Sequence, residues 1–288
     1  MMNHFTVNRS KVSERMAAIA ARVVLIAISC TVVFPLLWNL TTSLKTNTEI
    51  MTSPWSLPQV LQFENYIRAF SKARMADYFL NSVFVVALSM ALLLILVVPA
   101  AYSLTRLNLE RLSKIITNIY IACLFLQVNV LLVSIFILMS KLNMVDNRVG
   151  LSIALVATNI PFNTFFLAGF MKTISKEYEY AAMIDGCSHF SILTKIIIPL
   201  SAPAITTVSI LSFFSFFNEY ILTLVVISSD SKKTLPVGLA NLYEVQRYAT
   251  DWGALFAALI IMLVPVLVVY LFGQNSLTRG MGVGGLKG

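Results

Sequence analysis

Charge is what this 288-residue sequence has least of: Asp, Glu, Lys and Arg make up 12% of it, against 58% hydrophobic residues. A soluble chain carries about twice that charged fraction, so a water-borne globular fold is excluded. Histidine is nearly missing, with His4 and His189 alone. No HExxH, no GxSxG and no intramembrane pair of Asp occurs, so no metal site, His-based triad or acid pair is expected. The three cysteines, Cys30, Cys123 and Cys187, lie far apart with no CxxC or CxxH spacing, which removes a disulfide framework and a zinc site. A phosphate-binding loop is also lacking, because the glycine-rich run from Gly280 to Lys287 has no Gly-Lys-Ser/Thr order. The chain has no ATP site or catalytic centre of its own by this reading. Its net charge of +8 comes without a basic stripe interleaved with aromatics, so nucleic acid is not the partner.

What the sequence has instead is long uncharged stretches, at 23–44, 78–105, 115–140, 149–171, 196–218 and 252–278. At 1.5 Å per helical residue, a bilayer core of about 30 Å needs roughly 20 residues, so each stretch spans once and none spans twice. The expected fold is all-α, a single membrane domain over 1–288. Its six spans are placed at 17–44, 78–105, 115–140, 149–171, 201–227 and 252–274, with a loop at 172–199. The first stretch follows Arg9, Lys11, Arg15 and Arg22 as a signal peptide would. It exceeds the h-region length and lacks a small-x-small cleavage site, so it is taken as an uncleaved helix. Prolines fall in five spans, at Pro35, Pro99, Pro161, Pro203 and Pro265. Membrane helices tolerate them as packing kinks or use them as hinges.

With both termini inside, the inner segments hold 12 Lys and Arg and the outer ones 9, which favours cytoplasmic termini by a thin margin. Three connections are long enough for structure of their own: 45–77, 172–199 and 230–251. The first opens with Pro54-Trp55-Ser56-Leu57-Pro58 and continues through Phe63, Tyr66 and Phe70 with Arg68 and Lys72, the pattern of an interfacial helix. One acid, Glu219, sits in the apolar stretch 196–229. Burying a carboxylate costs about 3 kcal/mol on insertion scales, while the Ile, Leu, Val and Phe residues around it return roughly 4 to 7, so the helix still inserts. Glu219 then faces protein or water, and with Asn218 and Tyr220 it either lines a transport path or forms a packing network.

Between the fourth and fifth spans, Ser175-Lys176-Glu177-Tyr178-Glu179-Tyr180-Ala181-Ala182-Met183-Ile184-Asp185-Gly186 reads as a helix with a left-handed stop at Gly186. A second helix follows from about Ser188, redirected by Pro203. The small residues Ala181 and Ala182 leave a shallow face for another protein. Here the sequence resembles the inner-membrane permease subunits of binding-protein-dependent ABC importers, whose loop carries Glu-Ala-Ala, three residues, Gly, nine residues, Ile-x-Leu-Pro. Ala181, Ala182, Gly186, Ile196 and Pro199 match at that spacing. Tyr180 replaces the signature Glu and Ile198 its Leu, so the resemblance leaves Glu177 or Glu179 to serve as the acid that meets the ATPase. Ser43-Leu44-Lys45-Thr46, Phe63-Glu64-Asn65-Tyr66, Phe217-Asn218-Glu219-Tyr220, Thr234-Leu235-Pro236-Val237-Gly238-Leu239 and Leu286-Lys287-Gly288 extend the likeness, toward the second permease of maltose-type sugar importers.

That resemblance implies a six-span permease paired with a second homologous permease. It implies docking of two cytoplasmic ATPase subunits, which bind ATP and Mg, through Glu177, Glu179, Ala181, Ala182, Gly186, Ile196 and Pro199. Asn218, Glu219 and Tyr220, an isolated acid and its polar neighbours in an apolar helix, are the expected lining of the translocation path. An extracytoplasmic sugar-binding protein would meet the loop at 228–251, where Lys232, Lys233, Pro236, Gly238 (as a turn), Asn241 and Tyr243 are the candidate contacts. The alternative is an ion-coupled secondary transporter, which would need more intramembrane acids than one and usually an internal repeat.

Overall fold

A computed structural model describes residues 4–72, 74–107, 110–246 and 251–284. Among them the regular structure is entirely helical. In chain order the helices are α1 (His4–Thr42), α2 (Asn47–Thr52), α3 (Glu64–Lys72), α4 (Met75–Arg106), α5 (Glu110–Leu124), α6 (Val128–Lys141) and α7 (Arg148–Met171). They continue as α8 (Glu177–Ile184), α9 (His189–Leu200), α10 (Ala202–Phe217), α11 (Ile221–Val226), α12 (Leu235–Gln246) and α13 (Trp252–Gly284).

Four of these hold unbroken segments long and apolar enough to cross a membrane: Met16–Thr42, Met75–Arg106, Arg148–Met171 and Trp252–Gln274. The other two expected spans are not single rods. The third breaks between α5 and α6 with a 108° bend, and α9 meets α10 at 76°. The second bend falls at Ser201, just before Pro203, which sits in the first turn of α10 where its missing N–H costs nothing. The fifth expected span is further cut at Asn218–Tyr220, between α10 and α11. Pro35, Pro99, Pro161 and Pro265 lie inside continuous helices.

The chain divides into two compact units. One comprises Met1–Ala69 with Gln246–Ile260, the other Phe70–Val245 with Ile261–Gly288. In the larger unit α4 and α7 form the central pair. Val85, Ser89, Leu93, Val97 and Ala101 recur every fourth residue on α4 and are buried, as are Leu151, Ser152, Leu155 and Leu167 on α7. Serine and alanine on these faces let the backbones approach, the usual basis of helix association where lipid offers no hydrophobic drive. Ser89 and Ser152 sit at the crossing, where the Ser152 hydroxyl donates to the Arg148 carbonyl at 3.0 Å.

In the smaller unit the two segments Ser43–Thr46 and Phe63–Tyr66 fold onto each other. The Asn65 amide donates to the carbonyls of Ser43 (2.8 Å) and Lys45 (2.9 Å), and the Ser43 and Tyr66 hydroxyls meet at 2.8 Å. Lys45 is fully buried, its ammonium donating to the Pro54 carbonyl at 2.9 Å, so this cation staples the Pro54 turn and is not a free surface charge. Thr46 and Glu49 form a reciprocal capping box on α2. The Thr46 and Gln59 amides that bond to it hold the Glu49 carboxyl below the usual range.

Candidate functional site

The segment after α7 is built by local rules. Glu177 and Glu179 occupy the first turn of α8, where the helix dipole favours acids. The helix stops at Gly186, whose φ of +77° is the left-handed region that favours glycine. The Cys187 amide reaches back to the Ala182 carbonyl at 2.9 Å and the Gly186 amide to Met183 at 3.0 Å, which satisfies two orphan carbonyls. Ser188 then caps α9 by accepting from the Ser191 amide. Within α9, Leu193–Ile197 form a π turn, immediately before Pro199.

The two faces of α8 are unlike. Tyr178, Tyr180, Met183 and Ile184 are exposed, Ile184 to 87%, and Phe190 at the start of α9 to 75%. Glu177, Ala181, Gly186 and Pro199 are exposed with them, and Ile196 is half-buried. Ala182 and Glu179 are buried. This corrects one expectation: Glu179 points into the protein, where its carboxylate lies 2.9 Å from the guanidinium of Arg106. Glu177 is therefore the exposed one of the two acids. A cavity of about 270 Å³ adjoins this pair, lined by Arg106, Lys176, Glu179, Tyr180, Met183 and His189. Arg106 was not singled out from sequence; its only signal is a cation at the end of a long apolar run.

Midway along the fifth span, Asn218, Glu219 and Tyr220 occupy the break between helices and not a helix interior. Glu219 accepts from the Leu222 amide at 2.8 Å and so caps α11. Asn218 and Tyr220 are exposed, and the Asn218 amide returns to the Phe214 carbonyl. Broken helices at membrane depth occur where they are buried in protein or line a wet cavity. Two rungs that sequence reading missed join α10 to α7: Ser215 to Asn159 at 3.3 Å, and Ser212 to Asn163 at 3.2 Å, the latter pair buried. Two Asn residues four apart in one apolar run were the available signal.

The 228–246 segment is tied down by its own charges. Lys232 donates to the Asp146 carboxylate at 2.8 Å and to its carbonyl at 2.7 Å, and the Ser229 hydroxyl and amide add to the same carboxylate. The Lys232 bond, with those of Ser229, holds the Asp146 carboxyl far below the usual carboxylate range. Lys233 pairs with Asp230 at 3.3 Å, and Asp230 also accepts from the Tyr78 hydroxyl. Both lysines, expected as contacts for a partner, are thus engaged within the chain. Gly238 makes no turn: it lies inside α12, where a Cβ would come within 2.0 Å of the Tyr78 ring, so close approach is what requires glycine there. Pro236 is in the first turn of α12, Asn241 is half-buried and Tyr243 exposed. Leu286-Lys287-Gly288 and residues 247–250 lie outside the described residues.

Comparison with known proteins adds to this geometry. The family described as "Binding-protein-dependent transport system inner membrane component" matches residues 98–283. The sulfoquinovosyl glycerol transport system permease protein SmoH of Agrobacterium fabrum is 37% identical, the match covering 88% of this chain and 89% of that protein. The diacetylchitobiose uptake system permease protein NgcG of Streptomyces coelicolor is 33% identical, covering 94% of this chain and 90% of its own length. In fold, the chain is similar to one in the crystal structure of a bacterial ABC transporter involved in the import of the acidic polysaccharide alginate. That match has a TM-score of 0.81 and 23% identity, over 91% of this chain and 97% of the other.

Proposed function

Because this chain belongs to the family of inner membrane components of binding-protein-dependent transport systems, we propose that it is the permease subunit of an ATP-driven importer of a sugar or glycoside. It is a multi-pass protein of the inner membrane and a transport subunit. In this reading a second, homologous permease completes the translocation path, two ATPase subunits dock on the 172–199 segment, and ATP and Mg bind on those ATPases. The carbohydrate class is supported by the named substrates of the relatives, diacetylchitobiose and sulfoquinovosyl glycerol.

The observation that carries the reading is the apolar outer face of α8, where Tyr180 and Ile184 stand exposed beside the small Ala181, with Phe190 exposed at the start of α9. An apolar helix face of this kind suits a groove on a partner, where side-chain register can transmit movement. Glu177, in the first turn, supplies the reachable acid for a basic residue of the ATPase. Closure of the ATPases on ATP would shift α8 and swing the bundle between inward and outward access. Asn218, Glu219 and Tyr220, at a helix break, then belong to the path. Of the expected contacts in the 228–246 segment, Tyr243 is exposed and Asn241 half-buried, and these are left to meet an extracytoplasmic binding protein, while Lys232 and Lys233 shape the segment. The exposed apolar flank of α1 leaves room for lipid and for the second permease.

Two measurements test this. The exposed Cys187 should react with a membrane-impermeant maleimide in inverted vesicles and not in intact cells, since the loop and both termini are cytoplasmic in this reading. Uptake should stop when ATP is depleted with the proton gradient kept. Persisting uptake would replace the importer with an ion-coupled secondary transporter.

A further inference from the structure

Arg106 is the last residue of α4, yet its guanidinium serves three elements. Its Nη2 donates to the carbonyls of Met171, which ends α7, and of Ile174 (2.8 Å) in the turn beyond. Its Nε lies 2.9 Å from Glu179 Oε1 on α8, an ion-pair contact without the alignment of a hydrogen bond. The two side chains are 3% and 4% exposed. Every other ion pair among the described residues has at least one side chain 25% or more exposed. Helix-end carbonyls carry partial negative charge and need donors, and a planar guanidinium can reach two of them and a carboxylate at once. In a desolvated site, the loss of any member leaves the others uncompensated. The remaining inward contact of α8 is apolar and small, through Ala182.

We propose that Arg106 is a positioning residue that makes α8 and the ends of α4 and α7 move as one piece, so that displacement of the ATPase-docking helix reaches the membrane bundle. A small apolar contact can slide; a buried cation held to the carbonyls of Met171 and Ile174 and to a carboxylate cannot do so without exposing unpaired charge. The inference rests on the ATPase-docking reading of α8 given above and adds the residue through which that docking is felt. It also assigns Glu179 to the inside of the linkage, leaving Glu177 for the partner.

The test uses the whole complex in proteoliposomes with ATP, and the binding protein as purified from its native host as the probe. The readout is the ratio of stimulated to unstimulated ATP hydrolysis per assembled complex. Arg106→Met and Glu179→Gln should each lower that ratio about tenfold while the ATPase still co-purifies. Arg106→Lys should recover part of it, because an ammonium can serve one or two of the three partners. The exchange Arg106→Glu with Glu179→Arg should not recover it, because a carboxylate cannot donate to Met171 and Ile174. A wild-type ratio in assembled Arg106→Met would overturn the proposal. Should that variant fail to assemble, Glu179→Gln, which keeps shape and removes only charge, decides by the same ratio. A wild-type complex that binds no ATPase would instead sink the docking reading, and this inference with it.

Discussion

The 172–199 and 228–246 segments both connect membrane helices, and both are fastened to the rest of the larger unit, but by opposite means. The second is held by several part-exposed pairs around Asp146 and Asp230, with Tyr78 packed on Gly238. The first is held by the desolvated Arg106–Glu179 pair and the buried Ala182, Ile192, Leu193 and Ile197, and leaves an apolar face open. Part-exposed, screened pairs can be lost one at a time, whereas a desolvated pair leaves an uncompensated charge when either member goes.

The comparison can be broken most severely at Gly238. Gly238→Ala should cost about 1–3 kcal/mol through overpacking against Tyr78 and lower the thermal midpoint in detergent. Combining it with Tyr78→Leu should be clearly non-additive, and additive losses would show that the ring is not what requires glycine. At Gly186 nothing lies within 4 Å of an added Cβ, so the expected cost is backbone alone. Gly186→Val should lose at least about 1–2 kcal/mol and co-purified ATPase, while Gly186→Asn keeps most of both. Equal behaviour of the two variants would remove the left-handed turn from the argument. Glu219→Ala removes the α11 cap and should cost about 1 kcal/mol, whereas Glu219→Gln retains an acceptor and should cost less. A cysteine scan over 215–223 that found no labelling by a soluble thiol reagent in any transport state would leave Glu219 only this capping role.

The smallest effect should be at the rim. Lys232 and Asp146 should couple by roughly 0.2–1 kcal/mol in a double-mutant cycle. Because the folded-state pKa of Asp146 is depressed, its contribution is present above the ordinary carboxylate range and is lost as pH falls through and below it. Acid should therefore loosen 228–235, visible as faster hydrogen exchange at the Ser229 amide. Exchange there that does not change across the acid range would remove Asp146 from the fastening of this segment.

The straight spans were legible because an uncharged run of bilayer length leaves a helix few alternatives. The bend at Ser201 was signalled by Pro203. The one between α5 and α6 was not, since Phe125-Leu126-Gln127 contains neither glycine nor proline. Gly186 was readable because a helix pattern stopped at it. Gly238 was misread as a turn because a glycine needed for a neighbour's ring looks the same in sequence as one needed for its torsion. Glu177 and Glu179 could not be told apart either. Two residues separate them, which on a helix means different faces, but only the position of Arg106, 73 residues earlier in sequence from Glu179, says which face is inside.

The π turn at Leu193–Ile197 gives α9 one consequence of phase. Such a turn houses one residue more than an α-turn in nearly the same rise, so it is the usual trace of a single inserted residue absorbed without breaking the helix. Removing one residue there would let ordinary hydrogen bonding run through to Pro199 and rotate everything before it by about 100° relative to everything after. Phe190, which precedes the turn on the same helix, would then look in another direction relative to Pro199 and α10. The aim of Phe190 is thus set by a count of residues that does not include it.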